Sequence, residues 1–294
     1  MANATCPLCN SDQHQYCFSE RGHDLLECDV CDLFYIHPYP DDVRGRVAEY
    51  DYVDLRLVSP DQHYRSEMVY QQAHFKQLSD ALHGARSVLD VGCGTGHLLE
   101  LLAKDRQLYR AGVELNKDRA AFAKKTAQCE VFQIPIEEFE PQRKFDAIIM
   151  TDVLSHIPNF ERLFKSVSRL LSPDGRFILR TGEMAKHVRK SDLFDWGIPD
   201  HLHFLGLRTL DHICRQFGFR ILEHTRAPLS KELFSPTYFR QPGRSKLRNI
   251  LKAVLLHTPL ALNALAAAYD LRSGQRVYSS FIVLGNSLNR AARS

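Results

Sequence analysis

The sequence is short of several things, and each shortage excludes something. It has little net charge: 38 Lys and Arg against 35 Asp and Glu leave +3 over 294 residues. No field of one sign covers such a surface, so a nucleic-acid partner would need a local basic patch. It has no long apolar run either. The best, NILKAVLLHTPLALNALAAA at 249–268, is interrupted by Lys252, His257, Pro259 and Asn263, short of the about 20 apolar residues a bilayer crossing needs. The opening MANATCPLCN lacks the basic region and apolar stretch of a signal peptide, so the cytosol is the expected compartment. There is no internal repeat. With 44% hydrophobic and 25% charged residues, disorder is not expected to dominate.

Cysteine, by contrast, is plentiful. Eight cysteines in a reducing compartment read as metal ligands and core residues rather than disulfides. Cys6, Cys9, Cys28 and Cys31 form two C-x2-C pairs separated by eighteen residues, the spacing of a four-thiolate zinc site. Four cysteines leave no open coordination position, so the zinc is expected to be structural. His14, Cys17 and His23 lie between the pairs and are weaker ligand candidates. Residues 1–40 hold a single arginine, Arg21, and no lysine, which argues against phosphate contacts. The predicted division is a zinc ribbon at 1–40, a linker and lid helix at 41–84, and an α/β domain at 85–294 with a helical insertion at about 226–276.

The lid helix should start at Ser59-Pro60, an N-cap followed by proline in the first turn. Beyond it, RSVLDV, YRAGVE, EVFQI, KFDAIIM and GRFILRT suit buried parallel strands, with the helical patterns HLLELLAK, KDRAAFAKKTA and FERLFKSVSRLL between them, the last carrying Phe160, Leu163, Phe164, Val167, Leu170 and Leu171 on one face. RTLDHICRQFG reads as a further helix, and FRILEH and VYSSFIVLG as two more strands. The alternation predicts a doubly wound α/β fold. Within the insertion, residues 244–256 are amphipathic with a basic side. They form either a helix lying on a membrane surface or, the reading favoured, a helical cap with a solvated basic edge.

VLDVGCGTGHLLELL places Asp90, Gly92, Gly94 and Gly96 between the first strand and its helix, where glycine lets backbone turn sharply and a ligand come close. Glu114 follows at the end of the next strand, placed for a ribose. LDVGCGTG, GVELN, FDAIIMTDVLSHIPN and LLSPDGRFIL together resemble the successive motifs of class I S-adenosylmethionine-dependent methyltransferases. The resemblance implies a seven-stranded Rossmann-like sheet whose last strand is antiparallel. It also implies that Asp90, Gly92, Gly94 and Gly96 hold the methionine moiety, that Glu114 holds the ribose, and that Asp152 and Val153 line the far wall. Where many relatives carry an acidic residue near the adenine, this chain has Pro135, and Ile136 is expected to pack on the ring. The four-cysteine ribbon, HPYP and HLHFLGLRTL are similar to bacterial methyltransferases of sugar, glycan and natural-product pathways. Small-molecule acceptors are implied. Members that methylate sugar carbon carry a further C-terminal domain for which this chain is short, so O-methylation is the expectation.

An alcohol acceptor needs a general base, and histidine is the usual supplier. His156, His201 and His203 are the candidates, each weighed against a structural hydrogen bond; of His201 and His203, at alternate positions, one should face the pocket and one the core. Glu183 is a further candidate, with ordinary solvent exposure as its plainer account. Tyr50, Tyr52 and Tyr64 are expected over the cofactor or in the core, and Cys93 is expected to be a small filler. The competing functions are an RNA methyltransferase that uses the ribbon as a reader, and a non-catalytic S-adenosylmethionine-binding protein.

Overall fold

The structure is a computed structural model, and it describes residues 4–43, 60–105, 107–235, 255–256 and 258–286. Five apolar segments form the parallel centre of the sheet: β4 (Ser87–Val91), β5 (Tyr109–Val113), β6 (Glu130–Phe132), β7 (Phe145–Thr151) and β8 (Leu171–Met184). They lie in the order β6-β5-β4-β7-β8. β11 (Val277–Asn286) runs antiparallel to β8, and β10 (Phe219–Pro228) pairs antiparallel with β11.

These are the seven expected strands with the last one antiparallel, but the sheet does not stop there. Among the described residues it has eleven strands, because β1 (His14–Glu20), β2 (His23–Cys28), β3 (Phe34–His37) and β9 (His203–Gly206) extend it. β7 borders β8 only as far as Arg180. Beyond that point the same edge of β8 is taken by β9, with Glu183 opposite Leu205 and Met184 opposite Gly206. β9 then pairs with β3, Phe34 opposite Phe204 and Tyr35 opposite His203. The ribbon thus continues the sheet at the carboxyl end of β8, which is the ligand side of an open α/β sheet.

Helices cover both faces. α1 (Pro60–Ala81) and α2 (His97–Asp105) bury Leu78, Leu98 and Leu102, with Leu82 just past α1, against Ile149, Ile178 and Phe281. On the other face lie α4 (Phe160–Leu170) and α5 (Thr209–Phe217), whose Phe164, Leu170 and Ile213 join Phe177, Leu179 and Leu284 in the main core. Each fully buried Leu or Phe of this kind contributes roughly 1.5–3 kcal/mol. α3 (Lys117–Ala127) starts at Asn116, whose side chain accepts from the Asp118 and Arg119 amides. α4 starts at Asn159 in the same way, accepting from Arg162. Between β10 and β11 the described residues include α6 (Ser230–Leu233) and α7 (Pro259–Ser273). Residues 244–254, most of the amphipathic segment, lie outside the described residues, as do Ser59, Tyr50 and Tyr52. Tyr64 is half-buried, packing on the rings of His97 and Phe122 and donating its hydroxyl to Glu100. Among the described residues no helix is long and apolar enough to cross a membrane.

Candidate active site and metal centre

The two C-x2-C turns are built alike. In the first, the Asn10 amide donates to the Cys6 carbonyl at 2.9 Å and the Cys6 amide to Ser11 at 2.9 Å; in the second, the Asp32 amide donates to Cys28 at 3.0 Å and the Cys28 amide to Leu33 at 2.9 Å. Asn10 and Asp32, each just after the second cysteine, take left-handed φ values of 58° and 60°, a conformation that Asn and Asp tolerate. The turns bring the four sulfurs within 4.8 Å of one another. Two cross-pairs, Cys6 with Cys31 and Cys9 with Cys28, stand at 3.5 Å. Zn–S bonds of about 2.3 Å in a tetrahedron put sulfurs roughly 3.8 Å apart, so the donor set fits a zinc ion. His14, Cys17 and His23 are not part of this cluster.

The second turn is clamped to β9 and α5. Arg208 donates to both Asp32 carboxylate oxygens at 2.9 and 2.6 Å and to the Asp29 carbonyl at 2.9 Å. The Thr209 hydroxyl donates to the Cys31 carbonyl at 2.9 Å. Gly206 lies so close to this turn that a Cβ there would sit 1.9 Å from the Asp32 carbonyl oxygen, which only glycine permits.

β9 in turn holds the turn that follows β7. His203 Nε2 donates to the Leu154 carbonyl at 2.8 Å, His156 Nδ1 donates to the Asp200 carbonyl at 2.7 Å, and the Leu202 amide donates to Ser155 at 2.8 Å. The His156 and His201 rings meet edge-on at 4.7 Å, and His203 packs on Phe160 at 4.3 Å. The three expected histidines are therefore brought together, and His203 is the one turned into the core, being 1% exposed. Burial pulls all three below the ordinary value, His156 and His203 to about 3 and His201 to about 4, so they are neutral at physiological pH. Because the unfolded chain binds these protons near pH 6.5 while the native state refuses them, stability should fall as pH drops below about 6.5. Urea unfolding at pH 7.5 and 5.5 would show it, and His203→Gln should flatten the dependence; an unchanged slope in that variant would refute this origin.

The glycine loop sits three strands away from β9. The Gly92 and Cys93 amides donate to Val113 at 2.8 and 3.1 Å. Gly92, Gly94 and Gly96 all have positive φ, and a Cβ on Gly92 would lie 2.5 Å from Val153 Cγ2. Gly92 is thus required by Val153, the residue expected on the far wall. Glu114 is buried, and its carboxylate accepts from the Gly94 amide at 2.9 Å and the Asn116 amide at 2.8 Å. Asp90 is buried at the end of β4. Ile136 is buried in the main core at the head of a 3-10 turn, Ile136–Glu138, with Pro135 before it. The Cys93 thiol fills the space left by Gly112, where a Cβ would lie 2.6 Å from its sulfur. Loop, carboxylate and flanking backbone fit an adenosyl cofactor.

Two results depart from the sequence reading. Glu183 is not solvent-exposed; it is 0% exposed and bound by Arg226 at 2.7 and 2.6 Å, His224 at 3.0 Å and Ser280 at 2.6 Å. Burial pushes its carboxyl up, but these hydrogen bonds and the Arg226 charge hold it below the usual range, so it braces β8, β10 and β11. The second departure is Arg180, which the sequence reading missed. It is 5% exposed and donates to Asp152 at 3.3 Å and to Glu232 of α6 at 2.9 Å. Asp152 has φ 57°, and its amide donates to the Arg180 carbonyl at 2.8 Å. The signal was an arginine inside the apolar strand GRFILRT, since a buried charge needs partners. Arg180 and Thr151 line a cleft with Gln71, His74 and Phe75 of α1.

Residues 62–224 match a family model described as a methyltransferase domain. The chain is 29% identical over 191 residues to the ubiquinone biosynthesis O-methyltransferase of Coxiella burnetii, covering 58% of this chain and 74% of that protein. It is 26% identical over 192 residues to a sterol 24-C-methyltransferase of Gibberella zeae, covering 58% of this chain and 49% of that one. In structure it resembles the geranyl diphosphate C-methyltransferase of Streptomyces coelicolor A3(2), with TM-score 0.55 and 16% identity over 73% of this chain and 76% of that one.

Proposed function

We propose, because the chain belongs to the methyltransferase-domain family and is an S-adenosylmethionine-dependent methyltransferase, that its acceptor is a small molecule methylated on oxygen. The observation that carries the cofactor assignment is the glycine loop tied by the Gly94 amide to Glu114. The similarity to an O-methyltransferase of ubiquinone biosynthesis supports an oxygen acceptor. Asp90 and the loop amides hold the methionine moiety, Glu114 the ribose, Ile136 the adenine face, and Asp152 and Val153 the far wall.

Bound S-adenosylmethionine supplies a sulfonium whose methyl group is already electrophilic. What is left to the protein is to align the acceptor, exclude water and accept a proton. His156 and His203 act by position: their N–H groups fix Leu154 and Asp200, so β9 and the turn after β7 form one wall. With His201 packed edge-on between His156 and Phe204, the trio shapes the acceptor side. Zinc held by Cys6, Cys9, Cys28 and Cys31 is structural, since four thiolates complete its shell. The RNA reading has no support on the ribbon, whose single arginine, Arg21, is engaged with the Ile198 carbonyl at 2.9 Å and Asp195 at 3.7 Å.

The test is to incubate the protein and labelled S-adenosylmethionine with fractionated cell extract and search by mass spectrometry for methylated products. A small molecule gaining one methyl on oxygen is expected. Label in RNA instead would overturn the acceptor class.

A further inference from the structure

We infer that the outward face of α7, together with Phe194, docks on the headgroup layer of a bilayer that contains anionic phospholipid. The inference goes beyond the proposed acceptor chemistry and does not depend on it.

The first observation is that α7 is apolar on two opposite sides. Its inner side buries Leu262 and Tyr269, and the Tyr269 hydroxyl donates to the Asp192 carbonyl at 2.5 Å. On the outer side Leu260, Ala264, Ala267 and Leu271 recur at steps of four, three and four residues, which a helix of 3.6 residues per turn sets in one line. The two alanines are exposed, and Leu260 and Leu271 are each 85% exposed. Beside them Phe194, 72% exposed, stands 5.8 Å from the Tyr269 ring, with the Arg272 guanidinium 5.3 Å from its own. A helix that is apolar all round is normally buried, and a contiguous apolar patch left in water marks an interaction surface.

The second is charge. Residues 240–272 hold six Lys and Arg against one acid, Asp270, a local +5 in a chain whose total is +3. Among the described residues, Arg272 flanks the leucines and Arg189 donates to the Arg272 carbonyl at 2.9 Å, its side chain more than half exposed. The acids at this end are withdrawn or paired. Asp192 is buried under Arg276, which donates to both its oxygens at 2.7 and 2.8 Å, Asp195 faces Arg21 at 3.7 Å, and Asp270 is half-buried.

Leucine and phenylalanine among cations suit an anionic lipid surface, where apolar side chains enter the acyl boundary and cations meet phosphates. A second copy of this chain would set like charges face to face. A nucleic acid would take the charge and leave the leucines in water.

The third is place. α7 runs into β11, whose first residue, Val277, pairs with Met184 at the carboxyl end of β8. The patch therefore stands at the end of the sheet where an α/β fold binds ligands. Lying on a bilayer needs one apolar side only, so the interruptions that exclude a crossing are no obstacle.

Flotation of the full chain with vesicles tests this, using phosphatidylcholine alone and phosphatidylcholine with about 30% phosphatidylglycerol. Wild-type protein should float with the anionic vesicles and not with the neutral ones, and salt of about 1 M, where screening acts within about 3 Å, should release it. Leu260→Glu/Leu271→Glu should weaken binding at least about tenfold with an unchanged urea midpoint, whereas Leu260→Phe/Leu271→Phe should keep it. Should the double Glu variant lose its midpoint, Phe194→Ser decides alone, with the same loss of binding expected. No flotation on anionic vesicles, equal flotation on neutral ones, or wild-type binding by the Glu and Ser variants would each overturn the inference. A wild-type dimer by light scattering that the Glu variant splits would overturn it too, giving the face to a second copy.

Discussion

Alanine at Glu114 is expected to weaken S-adenosylmethionine binding by about 10²-fold or more. The carboxylate accepts from two backbone amides, those of Gly94 and Asn116, and the first bond is buried. Removing it leaves donors without partners at roughly 1–3 kcal/mol each, and each 1.4 kcal/mol is about a factor of ten in affinity. The contacts we propose it makes to a ribose would be lost as well. The loop would also lose its tether to the end of β5, so the three left-handed glycines would no longer be held for the ligand. Calorimetric titration measures the affinity and the urea midpoint checks the fold. Glu114→Gln, which keeps one acceptor oxygen, should lie between the two. Wild-type affinity in Glu114→Ala would remove the cofactor assignment.

Stripping the metal, or replacing Cys31 by serine, should cost methyl transfer at least about 10²-fold while cofactor affinity changes by about tenfold at most. Metal binding is folding free energy for a site of this kind, of order 10 kcal/mol. The sulfur cluster does more here than join its own two turns. The Cys28–Cys31 turn is gripped by Arg208 and Thr209, β3 pairs with β9, and β9 holds Leu154 and Ser155 through His203 and Leu202. Loss of the turn frees β9, and with it the wall next to Asp152 and Val153. β4 and β5, which carry the glycine loop and Glu114, lie beyond β8 and β7 from β9 and should keep their shape. Metal content, amide hydrogen exchange and turnover would be followed together. Metal-free protein that kept both its ribbon protection and its turnover would refute the coupling.

What was legible in the sequence follows from range. The cysteine pairs, the glycine loop with Glu114 and the stripe of Phe160, Leu163, Phe164, Val167, Leu170 and Leu171 are signals spanning a few residues or one βαβ unit, although Leu171 opens β8 instead of closing the helix. Spacing alone carries them, and the other residues lie where their patterns place them: the sulfurs cluster, Glu114 meets the loop, and the stripe is buried. Glu183 and Arg180 were misjudged or missed because their partners are remote in sequence. Arg226 and Ser280 reach Glu183 from β10 and β11, and Glu232 reaches Arg180 from α6. Register between strands 40 to 100 residues apart decides such pairs, and composition does not encode it locally.

The histidines mark the boundary. Their presence near the strand ends was readable from TDVLSHIPN and DHLHF. Their tasks were not, because a ring nitrogen's role depends on which carbonyl it faces. The sequence by itself determined the fold class, the cofactor loop and the thiolate set, each a product of local backbone chemistry. Only the tertiary structure decided that the ribbon continues the main sheet through β9, since β7 ends at Thr151 and leaves that edge of β8 open to hydrogen bonding. It alone set His156 and His203 to holding the backbone around the turn after β7.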